Sequence, residues 1–319
     1  MFHGDLDADT ANGLKELRRR IGKANIPSSR LDETINIATW NIREFGERPR
    51  RKASLHFIAE ILNEFDLIAI VELRRNLAEL PEVMGILGPY WRVVFSDFTT
   101  DEGGNDERFA YLYDKRAVTF TGLAAEADAP RIKNQETGEY ETAFSWWRKP
   151  FIASFRSGNF DFVAVSAHIR WGKKTSDRIV PLKLLAEWIE TRRQDSFGTD
   201  KDLILLGDFN ITSRRSATYK AITSQGLQMP AALAQSEFGS NLAKDKRYDQ
   251  ILHYPNETSN FTNNGGMLDF YTGGIKKLYP TDTPKKRAFT YELSDHLPLW
   301  IQLNVDTETE KLDQILNPK

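Results

Sequence analysis

Short apolar runs and alternating stretches dominate this chain, and helical periodicity is less common. Leu67-Ile68-Ala69-Ile70-Val71 closes on Glu72, and Leu203-Ile204-Leu205-Leu206 closes on Gly207-Asp208-Phe209-Asn210. Apolar runs of this length, ended by polar residues, predict strands buried on both faces. Further strands are predicted over 35–41, near 91–97, 108–113 and 117–121, and over 151–155, 160–167, 248–252 and 297–305. Two clear helical stripes stand among them: Leu55, Ile58, Ala59, Leu62 and Phe65, and then Ile179, Leu182, Leu185 and Trp188 within 176–193. A third helix is expected over 7–25, with Leu14, Leu17 and Ile21 inward and Lys15, Arg18, Arg19, Arg20 and Lys23 outward. Shorter helices are expected over 76–87 and 216–225. The polar segment 122–142 reads as a long hairpin or loop, and 228–247 as loop. The Gly-, Thr- and Lys-rich stretch 256–290 shows no clear period. With few helices between many strands, the sheets must be antiparallel or mixed, which gives an α/β fold. The expected division is a helical arm over 1–33, one domain over 34–305 and a charged tail over 306–319.

Composition narrows the function classes. The 319 residues are 40% hydrophobic, enough for a large core. There is no cysteine, which excludes disulfides, thiolate catalysis and Cys-based zinc sites. No apolar run approaches the roughly 20 residues of a membrane span. Met1 to Thr10 is acidic and lacks an apolar core, so a cytoplasmic protein without membrane association is expected, acting as a monomer. A net charge of −2 provides no global pull on a polyanion. Nucleic-acid affinity would have to come from local basic stretches: Arg48–Lys52, Arg170–Lys174, Arg214-Arg215 and Lys244–Arg247. The basic face of the 7–25 helix reads as a solvated surface, or else as an extra phosphate-binding arm. Of Trp146, Trp147 and Trp171, two are expected in the core, while Trp171, in its basic loop, could stack on a base.

The residues with chemical potential recur at strand ends. Asn41, Glu72, His168, Asp208 and Asn210 follow apolar strands, and Asp249, Asp295 and His296 precede them. Gathered on one rim, these carboxylates, amides and imidazoles suit a hard cation held through oxygen. They also suit a histidine that activates water near neutral pH. That combination describes metal-assisted phosphodiester hydrolysis. A zinc hydrolase fits less well, because no His-x-x-x-His spacing occurs.

The same residues carry a resemblance. Trp40-Asn41-Ile42-Arg43, Glu72, Ala167-His168, Gly207-Asp208-Phe209-Asn210, Tyr248-Asp249 and Ser294-Asp295-His296-Leu297-Pro298 resemble, in order, the motifs of the endonuclease/exonuclease/phosphatase superfamily. Asn41 through Glu47 is especially similar to its deoxyribonuclease I branch. The resemblance covers about residues 34 to 305. It implies a four-layer sandwich, two packed mixed β-sheets flanked by helices. It implies a metal site, Mg²⁺ or Mn²⁺, at Asn41, Glu72 and Asp295. Asp208 and Asn210 would serve the scissile phosphate or a second metal, and His168 and His296 would be the acid/base pair. Glu107 and Asp249 would be their carboxylate partners. Arg74 matches an arginine that enters the minor groove, and Arg148 one that contacts phosphate. Tyr248 and Arg43 are grouped with these as substrate-binding. The implied activity is a largely sequence-independent endonuclease acting on double-stranded DNA. A phosphodiesterase for a lipid or small phosphate ester and a silent binding module are the alternatives. Val71-Glu72-Leu73-Arg74 departs from the Gln-Glu-Thr-Lys of exonuclease III relatives. Arg247-Tyr248-Asp249-Gln250 likewise departs from the Trp-Cys-Asp-Arg of inositol polyphosphate phosphatases. The groove-stacking tyrosine of the deoxyribonuclease branch aligns with Asn105. The absent disulfides, secretion signal and calcium loop point to an intracellular, bacterial relative.

Overall fold

A computed structural model describes residues 1–98, 105–235, 239–308, 312 and 315–316. Its strands are β1 (Thr34–Phe45), β2 (Leu67–Leu73), β3 (Trp91–Phe95), β4 (Arg108–Asp114), β5 (Thr119–Glu126), β6 (Arg131–Lys133), β7 (Tyr140–Thr142), β8 (Phe151–Ser157), β9 (Phe160–His168), β10 (Leu203–Asp208), β11 (Asp249–Leu252), β12 (Phe261–Met267) and β13 (Leu299–Asn304). Its helices are α1 (Ala8–Ile21), α2 (Lys52–Leu62), α3 (Glu79–Leu87), α4 (Ser176–Gln194), α5 (Ala217–Ile222), α6 (Ala231–Gln235) and α7 (Lys286–Glu292).

Two mixed sheets face each other. One runs β12-β13-β1-β2-β4-β3, the other β11-β10-β9-β8-β5, and β6-β7 forms a separate hairpin. Only β1–β2 and β9–β10 are parallel pairs. A parallel pair needs a crossover, and α2 and α4 supply the two. Alternation assigns the faces of β1. Ile35 and Ile37 join the core cluster between the sheets, with Phe155, Phe162 and Ile251 opposite. Ala38, Trp40 and Ile42 turn outward onto Leu14, Leu17, Phe57, Ile58 and Leu62 of α1 and α2. Asn41 therefore extends the inward row of β1 to the rim.

The N-terminal helix is tied to this frame. Arg20 is 2% exposed and donates to the carbonyls of Phe270, Tyr271 and Gly274. Arg18 pairs with Glu60 and Arg19 with Glu16. Three cations that could have formed a phosphate-binding arm are thus engaged within the protein.

Several expectations are corrected. The segment 228–247 contains α6, and 256–290 contains β12 and α7. β12 carries Gly265 and Gly266, which weaken any sequence signal for a strand. A Cβ at Gly265 would stand 2.6 Å from Ile301 Cδ1, so that strand packs too closely for a side chain. β10 runs past its apolar stretch Leu203–Leu206 through Gly207 to Asp208. Trp146 packs against the core, but Trp147 and Trp171 are 43% and 48% exposed, so one tryptophan is internal where two were expected. No helix among the described residues is long and apolar enough to cross a membrane.

Candidate active site

The site forms where β1 and β2 of one sheet approach β10 and β11 of the other. Parallel pairing sets His168 beside Asp208, and antiparallel pairing sets Asp208 beside Asp249. Gly207 allows the close approach of β9 and β10. Its φ is 140°, and a Cβ there would lie 2.0 Å from the Ala167 carbonyl oxygen. Gly207→Ala is therefore expected to cost about 3 kcal/mol or more, read as a fall in melting temperature by calorimetry.

Backbone strain gathers here too. Glu44, Glu72, Asp106 and Asn210 all have positive φ without being glycine. By strict alternation Glu72 would face the helices. Its φ of 64° breaks the pleat where β1–β2 and β2–β4 shift register. The carboxylate is re-aimed so that it accepts from Asn41 Nδ2 at 2.8 Å and from the Glu44 N–H at 3.0 Å.

Two carboxylate–imidazole pairs flank one aspartate. His168 Nδ1 lies 2.8 Å from Glu107 Oε2, and His296 Nδ1 lies 2.8 Å from Asp249 Oδ2. Each carboxylate fixes its imidazole with Nε2 turned the other way. Both Nε2 atoms stand 3.7 Å from Asp208 Oδ2. Asn41 Nδ2 donates to that oxygen at 3.1 Å, and Asp208 Oδ1 accepts the Asn210 N–H at 2.9 Å. The Asn210 side chain is anchored on the Ile169 carbonyl. The structure thus brings Asn41, Glu72, Glu107, His168, Asp208, Asn210, Asp249 and His296 together.

Electrostatics follow from these pairs. Burial disfavours charge on His296, but Asp249, Asp208 and Asp295 outweigh it and lift the imidazole to about 10. Burial lifts the Asp249 carboxyl above its ordinary value against the pull of His296. Burial and Arg148 oppose the charge of His168, yet Glu107 and Asp208 still raise it. Burial pushes Glu107 up, and His168, Arg148 and Asn105 more than offset this and hold it at about 2.

The arginines take unexpected places. Arg148 donates through Nη2 to Glu107 Oε1 at 2.9 Å, and its Nε stands 2.8 Å from Oε2. Arg74 bonds Glu47 at 3.1 Å and lies 3.9 Å from Glu107. Arg43 donates to Asp295 at 3.3 Å, to Thr290 and to Tyr291, over whose ring it stacks. Three residues expected on substrate are held by the protein's own groups. Tyr248 has Trp171 edge-on at 5.6 Å and the His296 ring at 5.5 Å.

The family profile described as Endonuclease/Exonuclease/phosphatase matches residues 38–296, which span every one of these groups from Asn41 to His296. The chain belongs to that family. A curated relative, a deoxyribonuclease of Thioalkalivibrio sp. (strain K90mix), is 25% identical over 297 residues, covering 88% of this chain and 74% of that protein. Among solved structures, the human Nocturnin catalytic domain with bound sulfate superposes with a TM-score of 0.58. It is 16% identical and covers 86% of this chain and 95% of its own. D. rerio TDP2 complexed with a single-strand DNA product gives 0.57 at 16% identity, covering 85% and 99%. A mannosyl-6-phosphatase of Bacteroides thetaiotaomicron gives 0.52 at 16%, covering 84% and 98%. The two-sheet fold is therefore that of the Endonuclease/Exonuclease/phosphatase proteins.

The donor set in this family member suits a hard cation. Asn41 Oδ1 is buried with no hydrogen-bond partner among the described residues, while its Nδ2 is doubly engaged. A free amide oxygen beside the Glu72 carboxylate fits an oxygen-ligated cation. The tightest acidic cluster is a different one. Asp208, Asp249 and His296 place potential ligand atoms within 4.8 Å of one another. Within that cluster His296 Nδ1 and Asp249 Oδ2 are already hydrogen-bonded to each other.

A cavity of about 440 Å³ opens above these groups. Its wall holds a feature that no strand-end motif signalled. The Arg170 guanidinium lies 3.7 Å over the ring of Trp147, joining the Trp-Trp-Arg-Lys segment to the basic loop after β9. Each stretch was visible as basic and aromatic, but their pairing is a product of the fold.

Proposed function

We propose that the protein hydrolyses phosphodiester bonds in DNA, duplex DNA included, with Mg²⁺ or Mn²⁺, cutting within strands and with little regard for sequence. One observation carries the reading: a single carboxylate oxygen, on Asp208, stands 3.7 Å from Nε2 of two histidines that are each backed by their own carboxylate. Two oriented imidazoles this close together can serve one phosphate as proton donor and proton acceptor. His296, whose imidazole is lifted to about 10, keeps its proton and gives it to the departing oxygen. His168, held by Glu107 with its Nε2 3.7 Å from Asp208, takes the proton of the attacking water. Glu107 and Asp249 hold the tautomers. Glu72, the free oxygen of Asn41, and Asp295 are the residues that would hold the cation. When bound, it supplies positive charge to the reacting phosphate and lowers the pKa of water. The relative named deoxyribonuclease supports DNA as the substrate.

The two kinds of arginine should separate. Arg148 touches Glu107, so Arg148→Ala should lower turnover of DNA and of a small aryl phosphodiester alike. Arg170, on the cavity wall, should act on the DNA backbone. Arg170→Ala should weaken DNA affinity and reduce the slope of log affinity against log salt by about 1. Steady-state kinetics on both substrates and a salt titration check this.

Covalently closed and linear DNA of one sequence test internal cutting. Equal initial rates are expected. Cleavage confined to the linear form would show that an end is required.

A further inference from the structure

Beside the catalytic cavity lies a second recess of about 500 Å³, within the range of small-ligand sites. The two are continuous, because Trp147, Arg170, Gly172 and Lys173 line both. Beyond these shared residues the recess becomes apolar, walled by Trp146, Val180, Pro181 and Leu184. Val180 is 61% exposed and Trp147 43%. The hydrolytic chemistry uses none of these groups.

Charge and shape narrow the occupant. Arg170 and Lys173 have no carboxylate partner among the described residues, in contrast to Arg43, Arg74 and Arg148. The loop that presents Lys173 is pinned, since the N–H groups of Lys173 and Lys174 donate to the Asp177 carboxylate at 2.8 and 3.0 Å. Trp146 keeps a buried indole N–H with no acceptor among the described residues. Cations stand next to the reacting groups, and aromatic and aliphatic surface lies farther out. A nucleotide has the same order of parts: a phosphate, then a flat base with acceptors at its edge. Nucleotides inside a duplex have both faces covered by stacked neighbours and cannot offer one to a tryptophan, whereas unpaired, unstacked ones can.

We propose that this recess receives one unpaired nucleobase of the strand being cut, stacked at Trp147 in place of the Arg170 guanidinium that now lies over the ring, with Arg170 and Lys173 turned to its phosphate. The proposal rests on the DNA-hydrolase reading above and adds to it a preference for local single-strandedness. In duplex DNA, nicked, mismatched or breathing positions become the favoured sites.

Equilibrium binding in EDTA isolates this step from cleavage. The probes are a fluorescently labelled oligonucleotide, the same sequence as a blunt duplex, and the duplex with one unpaired nucleotide. The wild-type protein should bind the single strand and the bulged duplex more tightly than the blunt one. Trp147→Ala should weaken binding to the first two by about 5- to 150-fold and remove the preference. Val180→Gln, a polar change at an exposed helical position, should reduce it in the same direction. Melting temperatures report that both variants fold. If the wild type binds all three alike, or if both variants keep the preference, the recess does not take a base, while plasmid cleavage would leave the nuclease reading standing. If the wild type binds no DNA yet hydrolyses a small phosphodiester, both the nuclease reading and this proposal fall.

Discussion

Replacing either histidine with alanine should lower turnover by about 10²- to 10⁴-fold, the usual contribution of a positioned acid or base. The expectation rests on the geometry at Asp208: Nε2 of His168 and of His296 each stand 3.7 Å from its Oδ2, and each imidazole is oriented by a carboxylate at 2.8 Å. Both imidazoles are buried, so the substitutions also leave Glu107 or Asp249 with one partner fewer. Some loss of stability is expected as well, and rates should be compared at a temperature where each variant is folded. The double variant should lose much less than the product of the single losses, because groups that serve one step are not additive. A near-wild-type rate in either single variant would remove that histidine from the mechanism.

Glu72→Gln should have a comparable effect, about 10²-fold or more, through loss of cation binding. The carboxylate is held by Asn41 Nδ2 and the Glu44 N–H, so glutamine keeps the shape but loses the charge and one acceptor. The fold should survive at a cost of about 1 kcal/mol. Mg²⁺ affinity, measured by calorimetry, should fall along with turnover. Unchanged affinity and turnover would move the metal site elsewhere in the cluster, with Asp208 and Asp249 the next residues to test.

The sequence signalled the two-sheet fold class and the polar residues that the fold gathers into one cluster, but not every element between them. Asn41, Glu72, His168 and Asp208 were legible because each sets a polar group at the end of an apolar stretch, although the chain stays buried past all four and β1 runs on beyond Asn41 to Phe45. Glu107 is held beside His168 although 61 residues separate them, a pairing that only the family resemblance suggested. The helical stripes of α2 and α4 were equally plain, although α2 is buried almost all round and Ile179 and Trp188 of α4 are only half-buried. β12 was hidden because its glycines leave no side-chain pattern, and their absence of bulk is what lets Ile301 and Leu233 pack there. The surroundings of the arginines were hidden for another reason. Their charge was visible, but their partners lie far along the chain: Glu107 for Arg148, and Thr290, Tyr291 and Asp295 for Arg43. Trp147 and Arg170 became a unit only when β8 and β9 paired and brought their flanking loops together.

The central claim is that this cluster cuts DNA with the help of a divalent cation. Its most direct test is a time course of supercoiled plasmid with purified protein in Mg²⁺, with EDTA and the His168→Ala variant as controls and a sphingomyelin-type lipid ester and a small phosphomonoester assayed in parallel. Nicked circles should form first and linear DNA later, neither should form in EDTA or rapidly with the variant, and the two esters should be poor substrates. Plasmid that stays supercoiled in Mg²⁺ while either ester is hydrolysed would contradict the account.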